Sequence, residues 1–112
     1  MSTRQTGNAR ENRCGDILRS HGYEPFYSRG SRGTDILGIK ADGQGPHLLI
    51  AVIRPSGGSI RQSFVKLREA PQIAGAVHCV AKEASRNVWR WYSDEDRGYT
   101  LLADFLNDVR LL

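Results

Sequence analysis

Apolar and polar positions follow two alternating periods along the chain, and the changes of period divide it into helices and strands. Cys14, Ile17, Leu18 and His21 recur at helical spacing, with Asn8 and Glu11 forming a capping-box pattern before them and Gly22 supplying a stop after them. This predicts a first helix over residues 9–21, with Arg10, Arg13 and Arg19 on its exposed face. YEPFYS (residues 23–28) reads as a short strand, and Pro25 points to a sheet edge or a strand start. SRGTDILGIK (31–40) is a glycine-flanked turn running into an apolar strand, with Asp35 at its mouth. The break ADGQGP (41–46) returns the chain into HLLIAVIR (47–54), which stops at PSGGS (55–59). A β-hairpin is therefore expected at the centre of the fold.

Ser59 and Gln62 repeat the capping pattern, and Ile60, Phe64 and Leu67 share one helical face until Pro71 ends the run. AGAVHCVA (74–81) is a compact apolar strand expected to be buried on both faces. NVWRWY (87–92) alternates, with Trp89 and Trp91 on one side. After the acidic turn SDEDRG, residues Leu101, Leu102, Phe105, Leu106 and Val109 predict a last helix. Residues 1–7 have no apolar periodicity and are expected to form a flexible arm able to touch a phosphate backbone. Residues 8–112 form one domain with no repeat or linker. A hairpin followed by a crossover helix and a further strand implies an α/β domain, a central mixed β-sheet flanked by helices.

Composition narrows the function classes. The 112 residues, 39% of them hydrophobic, support one modest core. No apolar run approaches the ~20 residues of a membrane span, and the N-terminal segment lacks a signal-peptide pattern, so a cytoplasmic location away from membranes is expected. Cys14 and Cys79 have no metal-type spacing and are expected as buried thiols. His21, His47 and His78 are scattered and give no zinc pattern. The net charge is +4, and arginines crowd the first third while acids gather in the last fifth. Arginine forks match phosphate oxygens, so nucleic acid is the partner this distribution suggests. A merely soluble arginine-rich surface would look the same.

Asp35 is the leading chemical candidate. An acid where one strand begins, facing the middle of the next, can hold a divalent cation; it can equally be a turn former bonding amides around Gly33 and Thr34. Glu11 is explained either by the cap or by a site. Trp89 and Trp91 suit base stacking, a dimer interface or the core.

In this order the motifs resemble the archaeal-type Holliday junction resolvases and their phage relatives, within the PD-(D/E)XK nuclease superfamily. The resemblance runs from about residue 7 to residue 81. It lies in GNARENRCGDILRSHGY, then SRGSRGTDILGI, the strand LLIAVIRPSGG and a helix bearing Gln62. It implies a restriction-endonuclease-like fold, a homodimer and metal-dependent cutting of DNA, with branched DNA as a candidate substrate. Glu11 and Asp35 would hold Mg²⁺ or Mn²⁺ together with the carbonyl of Val52. Ser31 would stand at the turn, and Arg10, Arg13, Arg29, Arg32, Arg54 and Arg61 would follow the DNA backbone.

One correspondence fails. Where the family has (E/Q)-x-K, this chain has Ala51-Val52-Ile53. Strand parity disfavours Lys40 and Arg54 as substitutes, while Lys66, four residues after Gln62 on the same helical face, is the candidate for a relocated catalytic cation. The departure leaves three readings open: an endonuclease with a moved site, a natural or engineered inactive module that binds DNA or protein, and an assembly protein using its acidic end and tryptophans.

Overall fold

The structure, a computed structural model, describes residues 3–28, 34–43 and 46–110. Helix α1 (Thr3–Ser20) leads into three strands, β1 (Tyr23–Tyr27), β2 (Ile36–Lys40) and β3 (Leu48–Ile53). Helix α2 (Ile60–Glu69) is followed by β4 (Val77–Ser85), β5 (Val88–Asp94), β6 (Arg97–Tyr99) and helix α3 (Leu102–Arg110). The strands form one mixed sheet in the order β1-β2-β3-β4-β5-β6. Neighbours are antiparallel except β3 and β4, which run parallel with Leu48 opposite Val77 and Ile53 opposite Lys82. A parallel pair cannot be closed by a tight turn, and α2 supplies the crossover. Among the described residues, no helix is long and apolar enough to cross a membrane.

The sheet separates two apolar clusters. On one face, Cys14 and Leu18 of α1 and Leu102, Phe105, Leu106 and Val109 of α3 pack on Ile36, Ile50, Cys79, Ala81, Trp89 and Trp91. On the other, Phe64 and Leu67 of α2 pack on Leu49, Ala51 and Val80. Strand β3 is buried on both sides through Ala51, as its continuous apolar run requires.

Several element ends depart from the sequence expectation. Helix α1 begins at Thr3, so the arm expected over residues 1–7 is helical from Thr3 onward. Asn8 and Glu11 consequently sit inside the helix, which removes the capping explanation of Glu11. Adding a turn to an existing helix avoids the nucleation cost, so weak formers such as Gly7 and Asn8 do not end it. Strand β4 runs on to Ser85 past the expected end at Ala81, and the acidic turn is followed by the short strand β6 before α3. Pairing with β5 carries KEAS into the ladder although these residue types are weak strand formers.

The other punctuation behaves as its chemistry dictates. Gly22 takes φ 85° and donates its N–H to the Arg19 carbonyl at 3.1 Å, closing α1. Pro25 lies on the edge strand, where its missing N–H interrupts only one ladder. Ser59 caps α2 by accepting the Gln62 N–H at 3.2 Å. Ser59→Ala is expected to cost about 1 kcal/mol in urea denaturation, while Ser59→Asp, which keeps an acceptor, leaves stability close to the parent.

Candidate nucleic-acid interface

At the carboxyl end of β3 the chain turns through Arg54 to Gly58 before α2 starts. A hollow of about 250 Å³ opens there, lined by Arg10, Val52, Ile53, Arg54, Gly57 and Gly58. Gly58 has φ 81°, and a Cβ on it would lie 3.2 Å from Ile53 Cγ2, so glycine lets the loop pass close over the strand end.

Asp35 adjoins this hollow through the backbone of β3. Its own N–H donates to the Ile50 carbonyl at 2.9 Å, and its Oδ2 accepts the Val52 N–H at 2.7 Å. The side chain is thus bonded across the hairpin, while Gly33, around which amide bonds were expected, lies outside the described residues. Burial pushes the Asp35 carboxyl above its ordinary range, offset in part by the Val52 amide and by the positive charge of Lys66. The fold therefore brings Lys66, exposed on α2, into the field of Asp35.

Ala51 and Ile53 have different company. Ala51 is 5% exposed beside Phe64, Leu67, Leu49 and Val80, and Ile53 packs on the same cluster. The two positions where the resemblance expects a carboxylate or amide and an ammonium are carbon surface in the α2-side core.

One heavily bonded acid is a residue that the sequence pattern does not single out. Glu83, on the extended part of β4, is 2% exposed. Arg13 donates to it twice, Nε to Oε2 at 2.8 Å and Nη2 to Oε1 at 2.7 Å, and Arg10 Nε donates to Oε1 at 3.2 Å. The Asn87 N–H adds a bond to Oε2 at 2.9 Å. Hydrogen bonding from Arg13 is the largest cause of a carboxyl held down to about 2. Arg10 and Arg13 are accordingly turned toward β4, which corrects their expected place on an exposed face of the first helix. An acid beyond the expected end of a strand carried no local signal. Its parity with Cys79 and Ala81, facing arginines three apart on a helix, is the pattern that would have revealed it.

Glu11 is half-buried on α1. With burial as the larger cause, the charges of Cys79, Glu11, Asp35 and Glu83 hold the Cys14 thiol well above its ordinary value. Three acids from α1, the mouth of β2 and β4 thus bear on one region. Even so, among the described residues no three His, Cys, Asp or Glu side chains form a group able to hold a metal ion. Glu11, Asp35 and the Val52 carbonyl bring two carboxylates at most, and one Asp35 oxygen already serves the Val52 amide. That donor set does not fit a tightly held divalent cation.

Arg54 is exposed at the rim of the hollow. Arg61 is exposed on the first turn of α2, and Arg29, Ser31 and Arg32 lie outside the described residues. Lys40 sits at the far end of β2, its Nζ donating to the His21 carbonyl at 3.1 Å, away from Asp35 as parity requires. Trp89 and Trp91 are buried and stacked with centroids 5.8 Å apart, and so belong to the core. No family model, curated protein or solved structure matches the chain.

Proposed function

We propose that this chain binds DNA on a PD-(D/E)XK-like scaffold without cutting it. The observation that carries the reading is that Ala51 is buried in the apolar cluster beneath α2 and half-buried Ile53 packs on it, beside a hollow that keeps its arginines. Phosphate recognition needs guanidinium forks at a concave surface, whereas hydrolysis needs a ligand and a proton-handling cation where this chain has carbon. Glu83 takes the Nε of Arg10 and leaves its two terminal nitrogens without a hydrogen-bond partner among the described residues, and Arg10 and Arg54 both line the hollow. Helix α1, the bend before β2, strand β3 and helix α2 carry Glu11, Asp35, Ala51 to Ile53 and Gln62 in the order that the resemblance requires, which supports a restriction-endonuclease-like scaffold. A branched DNA target and a homodimer come from the resemblance and belong to the proposal.

Fluorescence anisotropy with duplex and four-way-junction DNA over a salt series tests it, with sedimentation equilibrium reporting the assembly. Affinity is expected to fall steeply with salt, and Arg54→Ala to reduce the log–log slope by about 0.9 for each phosphate that Arg54 neutralises. Asp35→Asn keeps an acceptor for the Val52 N–H and removes a negative charge beside the hollow, so binding is expected to tighten about two- to five-fold, or up to about 1 kcal/mol. Because burial holds the Asp35 carboxyl high, the parent also becomes neutral there as pH falls, and the advantage of Asp35→Asn vanishes in acid. Absent or salt-insensitive binding would sink the proposal.

The charge of Lys66 at Asp35 favours a second reading, an endonuclease with a relocated cation. Cleavage with Mg²⁺ or Mn²⁺ that is abolished by both Asp35→Asn and Lys66→Ala would establish it in place of the first.

A further inference from the structure

A second concavity lies on the α2 face of the sheet, between α2 and strands β4 and β5. It measures about 430 Å³ and is lined by Arg61, Phe64, Arg68, His78, Ser93, Asp94 and Glu95. That volume lies within the range of small-ligand sites.

Its two walls have opposite charge. Arg61 and Arg68 are seven residues apart on α2, two turns along one face, and neither forms an ion pair among the described residues. Asp94 and Glu95 stand at the end of β5 and the turn after it. Phe64, 7% exposed, supplies an apolar floor.

The chemistry of His78 is set by its neighbour. Gln72 Nε2 donates to the Leu67 carbonyl at 2.7 Å and the Ala70 carbonyl at 2.6 Å, which fixes the amide and turns Oε1 toward His78 Nε2 at 2.7 Å. Since Oε1 only accepts, Nε2 carries the proton and Nδ1 of the neutral ring is an acceptor. Burial first, and Arg68 second, hold the imidazole below its ordinary value and keep it neutral near pH 7.

We infer that this cleft takes one unpaired nucleotide of a DNA strand. The guanidinium wall matches a phosphate; the carboxylates and the His78 acceptor match the exocyclic amine of cytosine or adenine; Phe64 offers apolar contact to the base. A fully anionic ligand is disfavoured by Asp94 and Glu95, and a cationic one by the arginines. Continuity decides for a nucleic-acid strand over a free zwitterion: the loop from Arg54 to Gly58, which lines the hollow, leads directly into the turn of α2 that bears Arg61. The inference rests on the DNA-binding reading for its strand but not for its nucleotide.

Two arms test it. In the first, duplex DNA with and without a single extrahelical cytosine is compared by anisotropy. The parent is expected to prefer the bulged duplex by about five-fold, the low end for one good base contact. Arg68→Ala and Asp94→Asn should each erase that preference while keeping the affinity for intact duplex, whereas Arg54→Ala weakens both DNAs. In the second, ¹H–¹⁵N spectra are recorded during titration with dCMP, dAMP and dTMP. Shifts clustered at Arg68, His78 and Asp94, stronger for dCMP and dAMP than for dTMP, are expected. Equal binding of bulged and intact duplex would overturn the inference and leave the DNA reading standing. If no DNA binds, the DNA reading fails, and the nucleotide titration alone decides this one: no shifts at the cleft, or shifts equal for all three nucleotides, would overturn it.

Discussion

Glu83→Ala is expected to lower the unfolding free energy by about 3–5 kcal/mol, the cost of breaking a buried ion pair from one side. The substitution removes the acceptor of three guanidinium bonds and of the Asn87 N–H, and leaves Arg10 and Arg13 facing an apolar methyl. A domain of this size has roughly 5–15 kcal/mol in all, so urea denaturation of Glu83→Ala should show a midpoint shifted far toward zero denaturant. Glu83→Gln keeps an acceptor and the side-chain shape and should lose less. Replacing Glu83, Arg10 and Arg13 together by Leu and Met should recover most of the loss, because the network offsets its own desolvation rather than adding a large net gain. If Glu83→Ala unfolds at the parental urea concentration, the network is not what joins α1 to β4.

The same carboxyl gives a pH test. Held down to about 2, against an ordinary value of 4.5, it contributes stability that is fully present above 4.5 and lost as pH falls toward 2. Asp35, pushed up by burial, acts in the opposite direction, its raised value favouring the fold on the acid side. The parent and Glu83→Ala share Asp35, so the difference between their stability curves isolates Glu83: large at pH 7 and shrinking below pH 4.5.

The hairpin, the crossover and the three helices were legible in sequence because each is written in local period and punctuation: Gly22, Pro25, the Ser59 cap and Pro71. The apolar character of Ala51 and Ile53 was legible for the same reason, since it is read directly off a strand. The Glu83 network was not, because its partners lie 70 and 73 residues away and KEASR, between the two expected strands, is poor in strand-forming residues. Asn87 explains how that composition is used. It takes φ 60° in the two-residue turn between β4 and β5, a conformation asparagine tolerates better than most residues, so the polar run is both strand end and turn. The opening of α1 shows the reverse error, a cap pattern that extension of the helix overrides.

Trp91→Ala is expected to cost about 3–5 kcal/mol, the range for emptying a large aromatic site in a core. Trp91 is 2% exposed, lies on the face covered by α1 and α3, and stacks on Trp89. Its removal leaves a cavity against Phe105 and Leu106 and deletes a ring pair worth about 0.5–1.5 kcal/mol beyond its buried area. The polar and aromatic parts of this face are one unit: Trp89 lies opposite Glu83 in the ladder, its Nε1 donates to Asn87 Oδ1 at 3.2 Å, and the Asn87 N–H binds Glu83. Combining Glu83→Gln with Trp91→Phe, substitutions mild enough to leave the chain folded, should therefore give a coupling energy of about 0.5–3 kcal/mol in a double-mutant cycle. Additive losses would instead mean that the Glu83 network with α1 and the aromatic pair stabilise the sheet independently, with the turn at Asn87 transmitting nothing between them.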